Sequence, residues 1–315
     1  MQPPLSLKLL LWYYNRFLKL ETDGRSAEQV RASVNGRTGR VKAMLNGEKI
    51  PLFKVEDRTI AVREGEVPVR IYWPNAKKAL PVITYYHGGG FVMYGLDSHD
   101  HVCRRLCRDN GAVVVSVDYR LAPEHKFPTA VDDAYDALQW VSENAASLNG
   151  RADKIAVLGD SAGGNLAAVM SQLARDNGGP ELAAQVLVYP VVDGRMQHPS
   201  IKENADGYIL TEQLMRWFLD HYKRTDADIF DPRLSPILAD NHSNLPPALV
   251  QVASLDPLRD EGIDYAETLK AAGNQVRLTN YEGLTHSFFS MPGLSKRCVS
   301  AYDEIKGFLA EQFAD

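Results

Sequence analysis

The sequence predicts an α/β protein: a mostly parallel sheet of eight strands flanked by helices, with a helical cap. Three observations predict it. Short, mostly continuous apolar runs recur along the chain, helical stretches separate most of them, and one interval between strands is far longer than a crossover needs. Continuous apolar runs mark strands buried on both faces, and their alternation with helices makes the sheet parallel and covered on both sides.

Taken in order, Leu7, Leu10, Leu11, Tyr14, Phe17 and Leu18 recur at helical spacing, so residues 1–20 form an amphipathic helix whose apolar stripe docks. The polar stretch from Glu21 to Gly47 holds a further helix and a loop. From Ile50 the period changes to two, and runs 52–63 and 67–73 around Glu64-Gly65-Glu66 read as a hairpin. Runs 81–86, 112–117, 155–158, 186–189, 248–253 and 275–281 supply six more strands. Between and after them lie helices over 99–109, 129–146, 162–176, 259–272 and 296–312.

The interval 191–247 greatly exceeds the roughly dozen residues that a crossover requires. A helix over 211–222, with Leu214, Met215, Phe218 and Leu219 on one side, belongs to this insertion. The expected organisation is an α/β domain of residues 46–190 and 248–315, capped by segments 1–45 and 191–247 at the carboxyl ends of the strands. Ligands of open α/β sheets bind at those ends.

A balance of 35 basic against 40 acidic residues gives a net charge of −5, with no footprint for nucleic acid or an anionic membrane. Small neutral molecules are the expected partners. Cys103, Cys107 and Cys298 make neither a disulfide framework nor a C-x-x-C metal or redox motif, and free thiols are expected. Near the N-terminus, Lys8, Arg16 and Lys19 interrupt the Leu9-Leu10-Leu11 run and no small-residue cleavage site follows, so the expected location is cytoplasmic. The run is also too short to span a bilayer.

The chemistry centres on Gly159-Asp160-Ser161-Ala162-Gly163, between an apolar run and Leu166-Ala167-Ala168-Val169-Met170. This strand, turn and helix fit the G-x-S-x-G nucleophile elbow, which exposes a serine hydroxyl beside unpaired helix N–H groups. A serine hydroxyl needs a base, and the base needs an orienting acid. Of the eight histidines, only His198, His221, His242 and His286 follow Ser161, and His286 alone follows a terminal sheet strand. Asp256 stands at the carboxyl end of run 248–253. Asp193 stands in the same way one strand earlier, and geometry must decide between them. His87-Gly88-Gly89-Gly90 follows another strand and matches the H-G-G-G element whose backbone donors complete an oxyanion hole. Such a donor is worth about 2.7 to 4 kcal/mol where one has been removed.

With these residues in hand, the chain resembles the hormone-sensitive-lipase-like family of α/β-hydrolases, in particular its bacterial carboxylesterases. The resemblance rests on His87-Gly88-Gly89-Gly90-Phe91, Asp118-Tyr119-Arg120-Leu121-Ala122-Pro123-Glu124, Gly159 to Asn165, Asp256-Pro257-Leu258-Arg259-Asp260 and His286-Ser287-Phe288, and it covers most of the chain. It implies the α/β-hydrolase fold, Ser161 as nucleophile, His286 as base and Asp256 as its orienting acid. It also implies an oxyanion hole from the N–H groups of Gly88, Gly89 and Ala162, with His87 and Asp160 supporting loops. Glu203-Asn204-Ala205-Asp206-Gly207-Tyr208 is similar to the family's pattern near the cap. Ser287 stands where many relatives carry glycine. Phe91, Tyr94, Met215, Phe218 and Leu255 are candidate pocket walls.

The function implied is hydrolysis of short- to medium-chain carboxylic esters through an acyl-enzyme, with no metal and no cofactor. Amide deacylation or acyl transfer on the same triad is the alternative. A small-molecule receptor is a third class, disfavoured because nothing would then keep Ser161, Asp256 and His286 together. An exposed edge at run 275–281 makes a homodimer an expectation.

Overall fold

A computed structural model describes residues 3–20, 22, 24–35 and 44–314. Eight strands form one sheet: β1 (Lys54–Val62), β2 (Gly65–Trp73), β3 (Leu80–Tyr86), β4 (Val113–Val117), β5 (Gly150–Asp160), β6 (Ala184–Val188), β7 (Ala248–Leu255) and β8 (Val276–Thr285). Their spatial order is β1-β2-β4-β3-β5-β6-β7-β8. The β1–β2 hairpin and the β2–β4 pair are antiparallel, and every later pair is parallel. All eight expected strands are present.

Alternation within the strands explains why both faces are covered, since successive side chains point to opposite sides. On β5, Ile155 and Val157 enter one core while Ala156 and Leu158 enter the other. The first core is closed by α4 (Thr129–Asn144), α5 (Ala162–Asp176) and α8 (Arg259–Ala271). The second is closed by α3 (Leu96–Asn110) and α9 (Lys296–Gln312). The three cysteines are buried free thiols.

The N-terminal segment forms α1 (Leu5–Tyr13), a π-helical turn (Tyr14–Leu18) and α2 (Ala27–Asn35). Leu7 and Leu11 of α1 are buried, as the stripe requires, but Phe17 is 58% exposed. The wider π turn accounts for the difference, because adding backbone per turn rotates Phe17 away from the register of the α-helix. The Leu18 side chain and residues 36–43, within the stretch 21–47 expected to hold a further helix and a loop, lie outside the described residues.

The insertion contributes α6 (Pro199–Glu203), α7 (Glu212–Tyr222) and two 3₁₀ turns. It meets the N-terminal segment directly: Tyr14 Oη donates to the Ile209 carbonyl at 3.3 Å, Asn15 Nδ2 donates to the Gly207 carbonyl at 2.9 Å, and Lys19 pairs with Asp206 at 2.7 Å.

Candidate active site

Ser161 ends the central strand and caps α5 with φ 57° and ψ −119°. A non-glycine residue in that region is strained by about 1–3 kcal/mol, and its surroundings must hold it there. The glycines allow it. A Cβ on Gly159 would run into the Gly163 carbonyl, and one on Gly163 into the Tyr86 carbonyl of the neighbouring strand. The Ser161 N–H donates to the Val188 carbonyl at 2.9 Å, which fixes the turn to β6.

His286 follows β8 and is 6% exposed; its Nε2 lies 3.0 Å from Ser161 Oγ, and its Nδ1 lies 2.7 Å from Asp256 Oδ2. An ionised carboxylate only accepts, so Nδ1 carries the proton and Nε2 is left to accept from the serine hydroxyl. Asp256 is fully buried, and its other oxygen accepts the Leu258 N–H at 2.9 Å. The Tyr189 ring packs on the imidazole with centroids 4.5 Å apart.

Asp193 is excluded as the partner of His286 by its own contacts. Its carboxylate binds Arg195 at 2.8 Å and His198 Nε2 at 3.1 Å. Burial would raise its pKa, but these hydrogen bonds hold it well below the usual carboxylate range.

The glycine loop differs from expectation in one donor. The Gly88 N–H is turned onto Asp160 Oδ1 at 3.1 Å, so it is already spent. Among the described residues, neither the Gly89 nor the Gly90 N–H has a hydrogen-bond acceptor. Gly89 has φ +117°, which only glycine adopts easily, and Val92 and Met93 fold back to donate to its carbonyl. Ala162 opens α5, where backbone N–H groups lack helical partners.

Asp160 is the hub beneath these elements. Besides Gly88, it accepts the Tyr85 hydroxyl at 2.5 Å and lies 3.6 Å from His99 Nε2. Burial would raise its pKa, but the neighbouring His99 and the Tyr85 hydroxyl hold it below the ordinary value. His87 is wholly buried and stacks on Tyr119 at 4.3 Å. Burial, with His99 nearby, pushes its pKa down to about 3, so it is neutral at physiological pH. That fits a loop anchor.

A cavity of about 1040 Å³ opens on Ser161 and His286. Phe91, Tyr94, Met215 and Phe218 line it, together with Leu10 and Tyr14 of the N-terminal segment. Leu255 does not. It ends β7 in register with Thr285, and Leu258 on the following turn takes the place in the wall. Tyr222 stacks on Phe91 at 3.9 Å and buttresses that side.

Several supporting residues have roles that the sequence does not reveal, although Asn165 closes the elbow motif. Asn165 Nδ2 donates to the Val191 carbonyl at 2.8 Å and the Leu234 carbonyl at 2.7 Å, tying the elbow helix to the insertion. His99 and Tyr189 read as ordinary helix and strand-end residues until the fold brings them to the site.

The profile of a family described as alpha/beta hydrolase fold matches residues 83–290. The carboxylesterase NlhH of Mycobacterium tuberculosis is 47% identical over 248 residues, covering 76% of this chain and 77% of that protein. An ethyl acetate hydrolase of Pseudomonas putida is 43% identical over 290 residues, covering 87% of this chain and 90% of that protein. The solved structure of a hyperthermophilic esterase from the archaeon Pyrobaculum calidifontis superposes with a TM-score of 0.93 at 43% identity, covering 98% of each chain. The chain therefore belongs to the hormone-sensitive-lipase-like family of α/β-hydrolases.

Proposed function

We propose that this protein is a serine carboxylesterase acting on short- to medium-chain esters. The observation that carries the reading is the unbroken relay Ser161 Oγ, His286 and Asp256 at 3.0 and 2.7 Å. Ser161 attacks the ester carbonyl while His286 Nε2 takes its proton. Asp256 keeps Nδ1 protonated and stabilises the imidazolium. The tetrahedral oxygen is held by the Gly89, Gly90 and Ala162 N–H groups. His286 then returns the proton to the departing alcohol, leaving an acyl-serine, and a water deprotonated by the same nitrogen releases the acid.

Residues 1–45 and 191–247 act as the cap, and residues 46–190 and 248–315 as the catalytic domain. The placement of Met215 and Phe218 in the cavity wall supports a bounded acyl site. The β8 edge is the surface along which two copies would pair, and light scattering in solution tests that.

The deciding experiment is a chain-length series of p-nitrophenyl esters on wild type and Ser161→Ala. Activity should peak between acetate and hexanoate and fall at least about 10³-fold in the variant. Equal rates would remove Ser161 from the mechanism. Added alcohol or an anilide series distinguishes acyl transfer and amide deacylation from hydrolysis of esters.

A further inference from the structure

The N-terminal helix buries one face and leaves the other apolar. Leu5, Leu9, Trp12, Tyr13 and Phe17 are 73, 61, 65, 38 and 58% exposed, although Leu7 and Leu11 on the opposite face are nearly fully covered. Of nine large apolar side chains standing exposed among the described residues, five lie in this one segment. Scattered exposed apolar residues need no explanation, but a concentrated stripe does. Its aromatic members are already arranged against each other: Trp12 meets Phe17 edge-on at 6.1 Å, and Tyr13 lies 5.2 Å from Phe17.

The charge of the segment differs from that of the whole chain. Residues 3–20 contain Lys8, Arg16 and Lys19 and no acidic residue, within a chain of net charge −5. Arg16 lies 5.5 Å from the centre of the Phe17 ring, at the border of the stripe. We infer that this face docks on an anionic lipid surface, with Leu5, Leu9, Trp12 and Phe17 entering the headgroup boundary and Arg16 meeting phosphate, while Lys19 stays paired with Asp206. Helices that lie in such an interface combine a Trp, Phe and Leu face with flanking Lys and Arg. A second copy of the chain fits worse, because every charge on the segment is positive and self-pairing sets cation against cation.

The same helix lines the cavity through Leu10, Tyr13 and Tyr14. Docking therefore sets a segment that forms part of the cavity wall against the lipid, where apolar molecules concentrate. Binding itself does not depend on the ester-hydrolysis reading and can be tested apart from it.

The test uses the full chain with phosphatidylcholine vesicles, with and without phosphatidylglycerol. The protein should float with the anionic vesicles and much less with the neutral ones, and its tryptophan emission should shift to the blue. The double variant Leu9→Gln with Trp12→Gln should lose flotation by at least ten-fold, with unchanged melting and unchanged hydrolysis of p-nitrophenyl acetate. Arg16→Gln should weaken anionic binding about five-fold. The inference is overturned if wild type floats with neither vesicle, if flotation ignores lipid charge, or if the wild type forms a dimer that the double variant abolishes.

Discussion

Asp160 Oδ1 accepts the Gly88 N–H at 3.1 Å, so the residue before the serine holds the glycine loop that follows the neighbouring strand. The two halves of the proposed oxyanion site, Gly89 with Gly90 on one side and Ala162 on the other, are thus set at a fixed spacing by one buried carboxylate. Asp160→Asn keeps the size but loses the charge. Its kcat should fall about 10- to 100-fold, equivalent to about 1.4–2.7 kcal/mol, with KM nearly unchanged. Steady-state kinetics check this, and a wild-type kcat would show that the charge has no part in aligning the loop.

Arg31 links the N-terminal segment to the same loop. Its guanidinium donates to the Val92 carbonyl at 2.6 Å, to the Ala122 carbonyl at 2.5 Å and to both oxygens of Glu124 at 2.8 Å. The ion pair is solvent-screened and worth about 0–1 kcal/mol, so the two carbonyl bonds matter more. Arg31→Ala should raise KM for p-nitrophenyl hexanoate about three- to ten-fold, while Glu124→Gln should change it less than about two-fold. Equal effects of the two substitutions would assign the coupling to the ion pair.

Glu261 gives a pH signature. Its side chain is fully buried and accepts the Val192 and Asp193 N–H groups at 2.8 and 3.3 Å. Burial raises its pKa well above the ordinary 4.5, against the smaller opposing effect of those bonds. The folded state therefore binds this proton more tightly than the unfolded chain does. Its contribution to stability is full below about pH 4.5 and is lost as pH climbs through the raised value. Glu261→Gln keeps an acceptor and removes the titration, so its stability relative to wild type should improve between about pH 5 and about pH 8. Urea unfolding at both pH values measures it, and parallel profiles would refute it.

Ser287, beside the base, has φ 67° in the left-handed region. A non-glycine residue there costs about 1–2 kcal/mol, partly offset by the greater freedom of glycine when unfolded. Ser287→Gly should raise stability by about 0.5–1 kcal/mol and the melting temperature by about 1–3 °C. Calorimetry tests the sign.

The sheet was legible because its strands are continuous apolar runs, and the elbow because Gly159, Ser161 and Gly163 satisfy a steric requirement few other residues meet. The choice of Asp256 over Asp193 rested on the resemblance carried by Asp256-Pro257-Leu258-Arg259-Asp260, since strand position alone treats the two alike and only three-dimensional contacts separate them. The donor at Gly88 and the wall position at Leu255 were misassigned for a related reason. A residue's place in a motif or at a strand end does not reveal where its N–H or side chain points. The outer face of the first helix was not legible, because Leu5, Leu9 and Trp12 stand beside a stripe of equally apolar residues and a sequence does not show which face of a helix the fold covers.

The serine hangs from β5, gripped by β3 and β6, but the imidazole follows β8, which has a strand neighbour on one side only. Heat that peels the outermost strand would withdraw the proton acceptor while the hydroxyl stays presented. Loss of turnover would then run ahead of global melting, and tightening the grip of β7 on β8 would lengthen working life more than any reinforcement of the centre.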